Sequence, residues 1–464
     1  MMHMVRGALV AASFALLTAC AVGPNYKRPP FDTTAAYKEQ DGWKPTEPND
    51  ALDRGPWWEI FHDEVLNGLE GQLNISNENV KLAAAQVEEA RALVRQAQAG
   101  FWPSVSANAS RIRTVTADTH PETVTSAGIS GNWDIDLWGQ IRRSTESDRA
   151  SMQASEAALA SARLAAQAAL ATAYFELRAQ DQLQIILDDI VAAEQQSLKI
   201  TENRYRVGVA AKADVVNAQT QLLSSQAEQV NAPLQRAIFE HAIAVLVGQQ
   251  PAQFSIARAP MRTDVPTVPP GLPSVLLERR PDVAQAERQM AAANAQIGVA
   301  ISAFFPSLTI TGSDDYKGDT ISHLIRTANR VWAIGPSVAL SVFDAGLRRA
   351  QVAQARAVYE QRVDTYRQTV LTSLQQVEDD ITTLRVLEQR GVIEESAVKA
   401  AREAETLTLN QYKAGAVPYS SVITAQTTRL NSEENALTVL SGRLQGSVAM
   451  IQALGGGWKG LPGH

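Results

Sequence analysis

The sequence of 464 residues predicts a mainly α-helical chain with four amphipathic strands, written as two copies of one plan. Three observations carry this. Between Gly139 and Gly208 lie 68 residues with neither glycine nor proline. Segments of alternating polar and apolar residues precede that stretch and its later counterpart. And YRVGVAAKADVVNAQTQLL, from Tyr205 to Leu223, returns as YKAGAVPYSSVITAQTTRL, from Tyr412 to Leu430, at an offset of 207 with seven identities in nineteen ungapped positions.

The breaker-free stretch is rich in Ala, Leu, Gln, Glu and Arg, all good helix formers. At about 1.5 Å per residue, a continuous helix there would be roughly 100 Å long. Leu159, Ala162, Ala166, Ala169, Leu170 and Ala173 lie on one stripe, so neighbouring helices can approach closely. In the second half, Leu347 to Arg390 lacks both breakers, Gly391 interrupts, and helical sequence resumes to Ala414.

Each rod then meets the echoed segment. Gly208 and Gly415 suit helix C-caps, and Pro418 suits the start of the next helix. Two helix-turn-helix tips follow.

Before each rod the period changes to two. Pro103 and Pro306 end helical sequence; then Ile129, Gly131, Trp133, Ile135 and Leu137 alternate with Ser130, Asn132, Asp134 and Asp136. Ser307, Thr309 and Thr311 interleave with Leu308 and Ile310, and Ser337, Ala339 and Ser341 with Val338, Leu340 and Val342. Strands are therefore expected over roughly 103–113, 127–138, 306–314 and 334–344, each with one apolar face. Polar loops around His120 and Asp319 join each pair.

The chain divides into a signal segment, 1–19; an extended N-terminal segment, 20–65; a first repeat, 66–255; a proline-rich connector, 256–281; and a second repeat with a short tail, 282–464. In MMHMVRGALVAASFALLTAC, Arg6 gives a positive start, Ala8 to Leu17 is apolar but short for a membrane span, and small residues precede Cys20. Leu17, Thr18, Ala19 and Cys20 match a lipobox, which makes Cys20 the lipidation site. It is the sole cysteine, so no disulfide follows.

A net charge of −7 without a basic run excludes nucleic acid as the partner. The six histidines have no metal-ligand spacing, and there is no GxSxG elbow or phosphate-cradling glycine loop. No catalytic residue, cofactor or metal is expected.

Four amphipathic strands cannot close a membrane barrel, because single-chain barrels begin at about eight strands. An open sheet would leave backbone groups unpaired in lipid, so several chains must share one barrel. The alternative is a soluble sheet packed on the rods. Phe101, Trp102, Phe304 and Phe305 sit at the strand–helix junctions, where an aromatic girdle or ordinary packing would place them.

The chain resembles the TolC-like outer-membrane efflux family, specifically its lipoprotein (NodT-type) branch. CAVGPNYKRP after the signal, PWWEIFHDEVLNGL from Pro56, GLPSVLLERRPDVAQAE from Gly271, FFPSLTITG from Phe304, the paired tips and ALGGGW from Ala453 carry the resemblance. It implies a homotrimeric α/β-barrel with twelve membrane strands, four per chain. Coiled-coil hairpins would continue it through the periplasm, with a periplasmic adaptor and an inner-membrane RND pump feeding a passive exit duct. The two halves of each chain would then give the trimer a pseudo-sixfold mouth.

In that family, carboxylates on the second-half tip narrow the mouth, and links to tyrosine and arginine hold it shut. By position the tyrosine is Tyr412, but the acidic positions are Ser421 and Thr424. Only the first half keeps an acid, Asp214, followed by Asn217. A first-turn acid is also favoured by the helix dipole alone. A less acidic, more weakly latched aperture is expected. Adaptor docking is expected near Arg204, Arg206, Lys212 and Lys413. From a different class, the alternative function is a lipid-anchored trimeric coiled-coil scaffold in the periplasm without a pore.

Overall fold

A computed structural model describes residues 21–30, 37–40, 55–115, 121–268, 280–458 and 460–461. Cys20, His120 and connector residues 269–279 lie outside the described residues.

Among the described residues are seven α-helices and four strands. In chain order they are α1 (Glu64–Ser76), α2 (Glu78–Ala99), β1 (Ser104–Thr114), β2 (Glu122–Ile135), α3 (Gln140–Arg206), α4 (Lys212–Leu246), α5 (Pro281–Ser302), β3 (Ser307–Gly318), β4 (Arg330–Ala339), α6 (Leu347–Ala414) and α7 (Tyr419–Ala453). The repeat is deeper than its tips. From α2 to α5 the offset is 203 residues at both ends; from α4 to α7 it is 207 at both ends. The halves therefore differ by four residues in the strand region, and their hairpins correspond position by position.

The strands form one antiparallel meander in the order β1-β2-β3-β4. In register, Ser106 pairs Ser130, Ser130 pairs Ser313, and Ser313 pairs Ala333, so these share one face. That face is polar, with Ser106 and Ser130 hydroxyls 2.9 Å apart, as are those of Ser110 and Ser126. The opposite face carries Val105, Ile129, Ile310 and Ile334. In the single chain, β1 and β4 are edges.

The boundaries of three strands differ from expectation. β3 runs to Gly318 rather than 314, because Asp315, Tyr316, Lys317 and Gly318 pair with the early part of β2. β2 begins at Glu122, where Thr123, Val124 and Thr125 pair with β1 although the residues are mostly polar. β4 occupies 330–339 rather than 334–344. Its pairing ends with Ala339 opposite Ser307, because the next position on β3 is Pro306, which has no N–H to give. Asp344 instead caps α6, accepting from the amides of Gly346 and Arg348. Asp136 does the same for α3 through the amides of Ile141 and Arg142.

Gly391 does not interrupt the helix: α6 runs through it for 68 residues. A side chain there would meet Arg443 at 3.4 Å and Val439 at 3.7 Å, so α7 packs against the bare backbone. Packing outweighs a propensity cost of about 1 kcal/mol. Pro233 likewise sits inside α4 without ending it.

Two compact units result. One comprises 1–31, 85–157 and 283–369 and contains the sheet; the other comprises 32–84, 158–282 and 370–464 and contains the tips. The second unit has the main core, where Trp57, Phe61, Leu66 and Leu73 meet Leu170, Tyr174, Leu177, Ile381 and Val448. A buried network ties the connector to it. Arg178 binds Asp181 and the Ala257 carbonyl, and Arg236 binds Asp181 and the Ile256 carbonyl.

Candidate functional site

The two tips are one backbone motif built twice. The amide of Gly208 donates to Tyr205 O at 2.9 Å, and that of Gly415 to Tyr412 O at 2.9 Å. Val209 N reaches Arg204 O at 2.8 Å; Ala416 N reaches Gln411 O at 2.9 Å. Both glycines have φ near +80°, the left-handed conformation that ends a helix cheaply only without a side chain. The next helix opens alike, with Asp214 N on Ala211 O and Ser421 N on Pro418 O, both 3.1 Å.

The side chains diverge. Tyr205 is 46% exposed, its counterpart Tyr412 only 3%. Tyr412 and Tyr419 meet edge to face, 5.2 Å between centroids, and form a small core with Ala218 and Val422, flanked by Leu198 and Leu409. The Tyr412 hydroxyl is buried without a partner among the described residues. Burial, with the nearby Glu194 carboxylate, pushes the Tyr419 phenol upward, so it stays neutral at any physiological pH.

Arg204 crosses from the first tip to the second. Its guanidinium lies 4.8 Å from the Tyr412 ring centre and donates to Lys413 O at 2.6 Å. Of the expected docking residues, Arg206, Lys212 and Lys413 are exposed, while Arg204 is half-buried in this contact. Of the expected aperture residues, Asp214 and Ser421 are half-buried, and Asn217 and Thr424 are exposed. Asp214 has no ion-pair partner among the described residues. The Thr424 hydroxyl donates to Ser420 O at 3.0 Å, satisfied within its own helix.

Above the tips, the hairpins exchange polar for apolar positions. In the second, Glu433 accepts from Arg402 at 2.7 Å and Arg429 at 2.9 Å, and Arg429 also binds Glu405 at 2.9 Å. The matching positions of the first are Gln226, Gln195, Leu222 and Leu198. Conversely, the first buries Glu194, held by Gln221 at 3.0 Å, where the second has Ala401. Sequence periodicity signals Arg429–Glu433 as an i,i+4 pair; the crossings from α6 to α7 carry no local signal.

A second feature lies in the sheet-containing unit. Just after Cys20, Val22 N donates to Trp138 O at 3.0 Å, beyond the end of β2. Buried Arg143 grips the segment through Val22 O, Gly23 O and Asn25 Oδ1. Asn294 donates to Pro24 O, the Tyr26 hydroxyl to Glu287 at 2.6 Å, and Arg28 to the Tyr366 hydroxyl. A side chain on Gly23 would lie 2.5 Å from the Gly298 backbone, which explains glycine at both positions. None of these partners is near in sequence, so the strap was invisible there.

Among the described residues no cluster of His, Cys, Asp or Glu could hold a metal ion, and no helix is long and apolar enough to cross a membrane.

A family model described as outer membrane efflux protein matches residues 70–249 and 272–456, two stretches that correspond to the two repeats. The chain belongs to that family. Nodulation protein T of Rhizobium leguminosarum bv. viciae is 30% identical over 96% of this chain and 92% of its own length. The probable efflux pump outer membrane protein TtgC of Pseudomonas putida is 28% identical over 97% and 95%. The solved outer-membrane channel OprN superimposes with a TM-score of 0.88 at 30% identity, covering 95% of this chain and all of that one. As a family member with relatives in efflux pumps and a channel as structural neighbour, the chain is an outer-membrane efflux channel component.

Proposed function

We propose that the chain is the passive exit duct of a three-component, RND-type efflux assembly, working as a homotrimer anchored through acylated Cys20. The observation that carries this is the sheet. It has one apolar and one polar face, and two edge strands whose outer edges have no strand partner among the described residues. In lipid such edges must be paired, and joining β4 of one copy to β1 of the next does so, with three copies giving twelve strands. The polar hydroxyl face then lines the lumen, and no step in transport forms or breaks a bond.

Both tips ring the periplasmic mouth in this reading, and Asp214, Asn217, Ser421 and Thr424 border it. Tyr412 acts from behind, holding the second tip to Arg204. With Ser421 and Thr424 neutral, the ring of Asp214 is the aperture's one acidic element. The adaptor docks beside the first tip, where Tyr205, Val207 and Val209 are exposed next to Arg206 and Lys212. The pinned segment 21–28 leaves two residues between Cys20 and the Trp138 carbonyl at the sheet end. Two residues span at most about 7 Å, so the acyl chains enter lipid beside the barrel wall.

Single-channel conductance of the acylated protein in a planar bilayer tests this. Discrete steps are expected, with Asp214→Ala reducing cation preference and raising closed-state leak. Silence from folded trimer, persisting when both tips are deleted, would establish the poreless coiled-coil scaffold instead.

A further inference from the structure

The outward sheet face changes character along its length, and the change has a chemical meaning. On β2 the positions facing away from the hydroxyl face are Ile135, Trp133, Gly131, Ile129 and Ala127, followed by Thr125 and Thr123. Eight residue steps from Ile135 to Ala127 span roughly 27 Å along the strand, or about 20 Å of bilayer at a tilt near 40°. That is close to the apolar band of a membrane barrel. At the loop end of the band, the same face carries Tyr316 on β3 and Trp332 on β4, the amphipathic rings that mark a membrane–water boundary.

Arginines begin at that level. Arg330 is register partner to Tyr316, and Arg111 and Arg113 on β1 lie opposite Thr125 and Thr123, one and two pleats beyond Ala127. All three share the lipid-facing side. Arg330 is joined to Asp314 at 2.7 Å, whereas Arg111 and Arg113 have no partner among the described residues. Arg111 and Arg113 thus give each chain two positive charges beyond the apolar band, while the Arg330–Asp314 pair is neutral, with Asp314 inside the band opposite Ile129. Because β1 and β4 are the two edges, closure of the barrel brings Arg111 and Arg113 of one copy to the seam with Arg330 of the next.

From this placement, and resting on the proposed trimeric barrel, we infer that Arg111 and Arg113, completed by Arg330 of the neighbouring copy, bind phosphate groups of a phosphorylated glycolipid in the outer leaflet. Guanidinium matches phosphate in a bidentate geometry and is less costly to desolvate than an ammonium. A free anion has no reason to sit there, since the arginines adjoin lipid rather than a concave pocket. A lipid phosphate is delivered to that height by its own acyl chains. The contact would also cross the protomer seam and strengthen the trimer.

The test titrates the purified, acylated trimer with diphosphorylated lipid A and with its dephosphorylated form, followed by native mass spectrometry. Wild type should hold the phosphorylated lipid at least tenfold more tightly. Arg111→Gln with Arg113→Gln should abolish the difference, Arg111→Lys with Arg113→Lys should retain much of it, and Lys317→Gln, on the lumen face, should leave it intact. Equal binding of both lipids by wild type, or an undiminished preference in the glutamine variant, overturns the inference. So does displacement by millimolar inorganic phosphate, which would mark a free-anion site. Conductance of the same preparations separates the two readings: a conducting trimer indifferent to lipid phosphate removes the collar and leaves the duct standing.

Discussion

The first and second tips share their backbone to within a tenth of an ångström in the key hydrogen bonds, yet one turns its tyrosine out and the other turns it in. The difference arises two helical turns or less away. At the start of α7, Tyr419 stands where α4 has Lys212, and an aromatic ring there gives Tyr412 something to pack against. Lys212 gives Tyr205 nothing apolar. The lesson is that a repeat fixes the path of the chain, while one substitution per copy decides whether a tip is a packed joint or an exposed surface. A trimer ringed by six identical tips would have six equivalent sites. Here it would alternate three joints with three sticky surfaces.

The largest effect should come from emptying the packed tip. Tyr419→Ala removes a fully buried ring and its partner's contact, and losses of about 3–5 kcal/mol are usual for such truncations. Hydrogen exchange over 405–425 should accelerate accordingly, with Arg204 released from Tyr412. Tyr205→Ala, at the matching exposed position, should change exchange by no more than about 0.5 kcal/mol equivalent. Equal losses at both would mean that the tips are packed alike in the trimer.

A smaller effect is expected higher up the second hairpin. Glu433 is buried and receives two arginines, so Glu433→Ala leaves Arg402 and Arg429 without their shared acceptor. Breaking a buried pair costs about 3–5 kcal/mol, but Arg402 is 59% exposed and recovers water, so about 1–3 kcal/mol is a fitting expectation. Gln226→Ala at the corresponding site should be nearly silent in thermal unfolding. If both lowered the melting temperature equally, the ion network would add nothing beyond helix packing.

Much of this architecture was legible in the sequence because it is periodic. Rods, tips and alternation all repeat at short range, and Gly208 and Gly415 punctuate them. What escaped was set by partners distant in the chain. The end of β4 depended on Pro306 across the ladder, and the helix through Gly391 depended on α7 lying against it. The strap depended on Arg143, more than a hundred residues from the segment it holds. Within the candidate site, position marks Tyr412 and Asp214 as candidates, but only the fold separates a tyrosine that packs from one that is presented.

The smallest effect reads out electrostatics. Burial raises the Glu194 carboxyl above its ordinary value, opposed by hydrogen bonds from Gln221 and Ser225, and one of its oxygens has no partner among the described residues. An acid whose pKa is raised on folding binds more protons in the native state than in the unfolded one. Its favourable contribution is therefore complete below the unfolded value near 4.5 and is lost as pH rises through the folded value. Glu194→Gln keeps the hydrogen bonding and removes the titration. The variant should match wild type near pH 4 and exceed it in stability at pH 8, with a flatter profile of denaturation midpoint against pH. The counterpart Ala401→Gln has no such asymmetry and should be destabilising to the same extent at every pH, since it forces a polar amide into a space fitted to a methyl group. A wild-type profile as flat as the Glu194→Gln variant would mean that water reaches Glu194 in the assembled trimer, and that the first hairpin is the looser of the two along its length as well as at its tip.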